Sequence, residues 1–415
     1  MNKLDEMISE LCPDGVDFKP LWEMTYWDKK FQDVDKSWQP QIIDYKVLLA
    51  NDLFALKQDA GNVFLLSTGS ETGWTTEELA GDALREGEVV AIPWGKAGTV
   101  NVKNVIKYYK GKFVTGDNRI MTSRDREVLD NRFLYHYIVS EQGIDNSFYR
   151  GAGIRHPAMR KVLSLRIPVP PIAVQREIVR TLDRFSEHIE ELIKELSKEL
   201  LARKQQYQYY LNDSFESQTD NLVSLESIGT LTRGKRFVHA DATETGVPCI
   251  HYGELYTYYG VHADTVKSHI REDLRPKMRY AHKGDVIIVG AGENNIDIGI
   301  GVAWEGDEDV AVHDACYTFS HSQNSKYIAY YLRTDMYHNQ IKKYVSEGKI
   351  CSISASGLGK ADIPIPSLEE QHRIVTMLEK FDAVCNEIIT RIQKEMDLRV
   401  KQYEYYRDKL FTFGG

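Results

Sequence analysis

Five stretches of the sequence have residue types that could do chemistry. Gly290-Ala-Gly-Glu-Asn-Asn295 has the small residues of a phosphate-wrapping loop but lacks the GxGxxG spacing, so no nucleotide site is expected there. His188-Ile-Glu190 is an HxE, yet no PCxxC exists to complete a deaminase zinc site. Asp17-Phe-Lys19 pairs an acid with a base, but no second acid-rich strand is placed to make a nuclease cluster. Pro170-Pro171 stands in VPPI at a helix start and not in the Asn/Asp-Pro-Pro-Tyr/Phe signature of adenine methylation. Cys12, Cys249, Cys316, Cys351 and Cys385 lie far apart with no CxxC, which argues against zinc and against a disulfide framework. No GxxxxGK[ST] phosphate loop occurs either. The expectation is a chain without catalytic residues, cofactor or metal.

Charge is the remaining signal. The net charge is −9, yet residues 101–126 hold seven Lys/Arg against two acids, and residues 267–283 hold six against two. Acids collect elsewhere, as in Glu305-Gly-Asp-Glu-Asp309. Local basic patches on an acidic whole suit phosphate binding, although solvated loops have the same composition. Phosphates call for Lys/Arg, and base edges for Arg, Asn, Gln, Ser or Thr. The first-half candidates are Lys103, Lys107, Lys110, Lys112, Asn118, Arg119 and Arg124, with the alternation in VKNVIKYYKGK suggesting a basic hairpin. The second-half candidates are Arg233, Lys235, Arg236, Arg275, Lys277 and Arg279, with Asn294 and Asn295 as adenine readers or turn formers. Tyr108 and Tyr109 suit either a core or a stacking role.

The elements that must position these residues come from a repeat. Shifted by 196 residues, 166–215 aligns with 362–411 without a gap and with 18 identities in 50 positions. RIPVPPIAVQREIVRTLDRF meets DIPIPSLEEQHRIVTMLEKF, and RKQQYQYY meets RVKQYEYY. More weakly, and at an offset of 197, Gly87–Ile92 matches Gly284–Val289 as a turn and buried strand, and Asp117 matches Asp314. Helix-like runs fall near 126–141 and 326–346. The chain therefore reads as α+β: two mixed α/β domains, 1–165 and 216–361, joined by long helices at 166–215 and 362–415 in a pseudo-two-fold repeat.

Within the helices, Ile178, Leu182, Phe185, Ile189, Leu192 and Leu196 repeat at steps of 4 and 3, as do Ile374, Leu378, Phe381, Cys385, Ile388 and Ile392. That is a coiled-coil seam, and each copy is the natural partner of the other. Some 40 residues each make rods roughly 60 Å long. Connectivity favours an antiparallel pair, since the second helix must lead back toward the first domain. Two alike domains on a stiff spacer suit a target with two separated sites. Duplex DNA repeats one face every ~34–36 Å. An oligomerising adaptor with two protein-binding domains is the competing expectation.

The doubled Ile-Pro-x-Pro-x₄-Gln-x₂-Ile phrase, the opening ELCPDGVDFKPLWEM and the closing YYRDKLFTF resemble type I restriction–modification specificity subunits. The resemblance implies two target-recognition domains that bind an asymmetric, bipartite double-stranded DNA site. It also implies helices that dock two methyltransferase subunits, which in turn support restriction subunits. S-adenosylmethionine, ATP and Mg are then expected on those partners only. Tyr207, Tyr210, Tyr403 and Tyr406 either continue the seam as plugs against the next domain or present equivalent surfaces to the two methyltransferase subunits. With no apolar run of about 18 residues, and acids in MNKLDEMISELCPDG where a signal peptide needs an apolar stretch, a cytoplasmic protein without membrane contact is expected.

Overall fold

Each Ile-Pro-x-Pro motif closes its own domain. In the computed structural model, which describes residues 3–69, 72–218 and 221–413, Phe18–Pro20 pairs antiparallel with Arg166–Pro168, and Leu222–Ser224 pairs with Asp362–Pro364. Ile167 and Ile363 are buried in these two-stranded ribbons. Proline lacks an N–H, which an isolated ribbon tolerates on its open side. Pro170-Pro171 and Pro366 then end the strands, and helices begin at once.

Those helices are Ile172–Glu216, 45 residues, and Leu368–Leu410, 43 residues. Ile178, Leu182 and Ile189 of the first are buried, as are Ile374, Leu378, Cys385 and Ile392 of the second, while Phe185, Leu192, Leu196, Phe381 and Ile388 of the seam are half-buried. The chain divides into two compact units, Met1–Glu195 with Glu395–Gly415, and Leu196–Lys394. In the first unit, Phe185 of the leading helix meets Tyr403 and Tyr406 near the end of the returning one. In the second, Tyr207 and Tyr210 meet Phe381 near the returning helix's start. The pairing is antiparallel.

Each domain is built on a mostly antiparallel sheet. The first has the order Thr25–Trp27, Asn118–Ser123, Arg85–Pro93, Lys107–Thr115, Val63–Leu66, Gly73–Thr75. The second has Gly229–Arg233, Cys316–His321, Val286–Val289, Gly301–Trp304, His262–Ala263. The first five strands correspond, the fifth running parallel to the fourth in both; beyond them the first sheet adds Gly73–Thr75, and the second domain adds a separate five-stranded sheet through Val247–Ile250. In the first unit, helix Asn131–Val139 packs its Phe133 and Tyr137 on Phe411. In the second, helix Ser325–Tyr331 packs Tyr327 and Tyr331 on Phe215.

Three local expectations change. Gly87 is not in a turn: it lies inside Arg85–Pro93, opposite Gly111, whereas Gly284 with φ +92° does turn into Val286–Val289. The run at 326–346 is two helices, Ser325–Tyr331 and Asp335–Ile341, because Thr334 caps a second start by accepting the Tyr337 N–H. The basic stretch 103–112 is not a hairpin by itself: Lys103 lies in a 3-10 turn, and Lys107–Thr115 pairs with the earlier strand Arg85–Pro93.

Candidate nucleic-acid interface

The first-unit candidates divide by what their side chains already hold. Lys110 is exposed opposite Glu88, and Lys103 is half-buried. Lys112 pairs with Glu77 at 2.8 Å, a solvated bridge that a phosphate can displace. Lys107 folds back onto the Ser67 carbonyl at 2.8 Å and onto that of Gly69, and burial pulls its pKa down to about 8. Tyr109 stacks on Phe64, and Tyr108 donates to Glu88 at 2.7 Å. Both tyrosines are therefore taken up in packing.

Three candidates are committed to the fold. Asn118 is 2% exposed, and its amide donates to the Leu66 carbonyl at 2.7 Å. The Arg119 guanidinium lies 3.7 Å from the centre of the Trp94 ring and bonds Asp117 at 2.9 Å. Arg124 donates to the carbonyls of Trp22, Thr25 and Trp38, clamping the first strand to its loops. A buried amide offers no donor to a groove, and Arg124 has its Nε and Nη2 engaged. Asn118, Arg119 and Arg124 thus hold the fold, Asn118 on the Leu66 carbonyl, Arg119 against Trp94 and Arg124 on three carbonyls.

In the second unit, Arg233, Lys235, Arg236 and Arg279 come together. Arg233 Nε donates to the Asp314 carbonyl at 2.7 Å, and Arg279 donates to the Arg233 carbonyl at 2.7 Å. Gly234 lies so close to the strand beside it that a Cβ would stand 2.2 Å from the His313 carbonyl oxygen. Lys235 and Arg236 are exposed immediately after it. His251 and His313 lie tilted against each other with ring centres 4.6 Å apart, and burial lowers the pKa of both. Arg275 is closed in a two-point ion pair on Glu272, and Lys277 is exposed in the same 3-10 segment. Asn294 and Asn295 are exposed just beyond Ala291–Gly292. The Ala291 N–H bonds the Ala315 carbonyl, next to the acceptor of Arg233.

The structure adds two groups that the sequence reading missed. Lys29 follows the first strand, as Lys235 follows its counterpart, and lies 3.9 Å from both Asp117 and the buried Asp28. Asp117 and Asp314, matched by the repeat, each meet an arginine at the same end of their sheets, Asp117 through its carboxylate and Asp314 through its backbone carbonyl. The second group is a β-ribbon in each unit. Ile154–Pro157 pairs with Tyr149–Arg150 and Lys96–Ala97, and Cys351–Ser352 pairs with Ala291–Gly292 and, across a bridge, with Ser346. A signal existed: residues 146–176 contain six Lys/Arg and no acid.

The tyrosines meet the other helix, and Tyr207 and Tyr403 also pack against the core of a domain. Tyr207 stacks on Phe381 at 6.0 Å, and Tyr403 and Tyr406 lie 5.9 and 5.7 Å from Phe185. Phe215 and Phe411, both fully buried, complete the plug against each domain. Tyr210 and Tyr406 are each 44% exposed. Among the described residues, no group of three or more His, Cys, Asp or Glu could hold a metal ion, and no helix is long and apolar enough to cross a membrane.

Residues 55–202 and 220–397 match the family model described as the type I restriction modification DNA specificity domain. The chain is 31% identical over 340 residues to a putative type I restriction enzyme specificity subunit of Haemophilus influenzae, spanning 79% of this chain and 84% of that one. It is 28% identical over 272 residues to the EcoR124I/EcoR124II specificity subunit of Escherichia coli, 60% of this chain and 63% of that one. A chain from a solved type I R-M system shares the fold at a TM-score of 0.64 and 16% identity, covering 96% of this chain and 98% of the other.

Proposed function

Because the chain belongs to the type I restriction modification DNA specificity family, we propose that each of its two domains reads one half of a bipartite duplex site. The paired helices set the gap and dock methyltransferase subunits, and restriction subunits join through these. The chain contributes no chemistry; S-adenosylmethionine, ATP and Mg belong to its partners. One observation supports this reading: the shared strands of each domain end at a repeated aspartate that meets arginine, Asp117 with Arg119 and Lys29 on its carboxylate and Asp314 with Arg233 on its backbone carbonyl, while other parts of the domains differ. Like frames with unlike surfaces suit the recognition of two different half-sites. The contact set is Lys29, Lys103, Lys110 and Lys112 in the first domain, and Arg233, Lys235, Arg236, Lys277, Arg279, Asn294 and Asn295 in the second. Tyr210 and Tyr406, exposed at repeat-related positions, suit two copies of one partner.

Sequencing methylated adenines in cells with and without this gene, beside a cognate methyltransferase subunit, tests the reading. A bipartite motif of fixed gap that vanishes on deletion is expected. Methylation with no sequence preference would favour the adaptor instead, and modification by this chain alone would overturn the non-catalytic role.

A further inference from the structure

We propose that Ile154 and Ile350 are the apolar tips of two β-ribbons that enter the grooves of the duplex, one at each half-site. The inference rests on the DNA-reading function above and assigns it a pair of residues.

The ribbons are equivalent in register. Arg155 pairs with Lys96 and Cys351 with Gly292; His156 pairs with Arg150 and Ser352 with Ser346. Every one of these positions is related to its counterpart by the 196-residue shift. Between 150–156 and 346–352, Arg-Gly-Ala-Gly-Ile-Arg-His and Ser-Glu-Gly-Lys-Ile-Cys-Ser, the isoleucine is the one residue in common. It is also the residue that folding explains least, since Ile154 is 67% exposed and Ile350 63%. A lone exposed aliphatic side chain is ordinary. The same one at the same ribbon position in two domains that have otherwise diverged points to a shared contact.

The surroundings define what that contact is. Arg150 and His156 are exposed and Arg155 half-buried beside Ile154, in the acid-free stretch 146–176. Lys349 adjoins Ile350, and Lys343 and Lys360 flank the neighbouring Tyr344 ring, with Glu347 as the local acid. Cations around an apolar tip match phosphates around a groove, and the major groove admits a two-stranded ribbon and offers thymine methyl groups to an aliphatic side chain. The first tip is also held in place. Gly151 turns at φ +126°, where a Cβ would lie 2.7 Å from the Ile154 carbonyl oxygen, and a Cβ on Gly95 would lie 3.1 Å from Ile154 Cγ2. One face of the side chain thus rests on Gly95, and the rest is open.

The test uses the complex with methyltransferase subunits and DNA that carries its methylation motif, with variants Ile154→Ser, Ile350→Ser and Ile→Leu at each site. Each serine variant should weaken binding about tenfold or more, as loss of a buried aliphatic contact does. Each should relax the motif at one half only, with thermal unfolding unchanged, and leucine should restore most of the affinity. Unchanged affinity and motif in the serine variants, while wild type selects its site, would overturn the ribbon alone. Lost methyltransferase assembly with DNA affinity intact would overturn it too, by assigning the tips to protein. A wild-type complex that selects no bipartite site would instead sink the functional reading on which the ribbon rests.

Discussion

Gln175 and Gln371, 196 residues apart, tie the start of each long helix to the cap of a domain helix in the same way. The Gln175 side chain accepts the Asp130 N–H at 2.9 Å and donates to the Pro170 and Val128 carbonyls at 2.7 Å. Gln371 accepts the Asn324 N–H at 3.0 Å and donates to the Pro366 carbonyl and the Gln323 side chain at 2.9 and 2.8 Å. Asp130 and Asn324 are the N-caps of Asn131–Val139 and Ser325–Tyr331. Both glutamines are fully buried.

Removing Gln175 leaves the cap amide and the Pro170 and Val128 carbonyls without their partner, and removing Gln371 does the same to the cap amide and the Pro366 carbonyl. Gln175→Ala and Gln371→Ala should each cost about 2–3 kcal/mol, the range for buried groups left unpaired. The two changes share no hydrogen-bond partner, so their costs should add. Chemical denaturation of the single and double variants checks this. A loss below about half a kcal/mol would show that water replaces the side chain.

Much of this frame was legible in the sequence. The helices were readable because their seam repeats at 3-4 spacing, and the latch residue itself stands in the doubled Ile-Pro-x-Pro-x₄-Gln phrase. A second latch was hidden by changed residue types: Arg132 pairs with Asp183 at 2.8 Å, and Lys326 with Glu379 at 2.7 Å, so charge is kept while identity is lost. In the second domain Arg233 marks the Asp314 end of the sheet, whereas in the first Lys110 and Lys112 pair with Glu88 and Glu86, away from the Asp117 end. What sequence alone could not separate was a free cation from a committed one. Arg124 and Lys110 look alike on paper, yet one clamps three carbonyls and the other faces solvent. The ribbons were missed because their strands are two to four residues long, too short to show alternation.

Asp28 gives the first domain a pH-dependent weakness. Burial raises its carboxyl pKa to about 6, against the backbone N–H of Ile120 and the charges of Lys29 and Arg119, which favour the anion. The unfolded value is near 4. Between about pH 4 and 6 the folded state therefore binds more protons than the unfolded one. Stability falls as pH rises through that window, by up to about 3 kcal/mol. Asp28→Asn keeps an oxygen for the Ile120 N–H and cannot ionise. Melting curves from pH 4 to pH 7 should be flatter for the variant; parallel curves would remove Asp28 as the cause.

Phosphate contacts and fold-holding residues should separate in salt titrations. Replacing Lys235 and Arg236 together with alanine should lower the slope of log affinity against log salt by about 2, since each released counterion contributes about 0.9. Lys103 and Lys110 should do the same through the first domain. Asn118→Ala should leave the slope intact and cost about 1–3 kcal/mol of stability, because the Leu66 carbonyl loses its donor. A slope unchanged in both lysine and arginine variants would take these clusters off the duplex.

The helix pair can be tested as a ruler by its own periodicity. A seven-residue insertion in each long helix keeps the 3-4 seam in phase, where four residues would rotate it. Seven residues add about 10 Å of rise, close to three base pairs at ~3.4 Å each. If the helices set the spacing, the methylated motif should keep both half-site sequences and gain about three base pairs between them. An insertion in one helix alone leaves seven residues unmatched, and should reduce methylation without lengthening the gap. A doubly extended variant that still methylates the original spacing would show that the duplex bends to the domains, and that the helices do not measure the site.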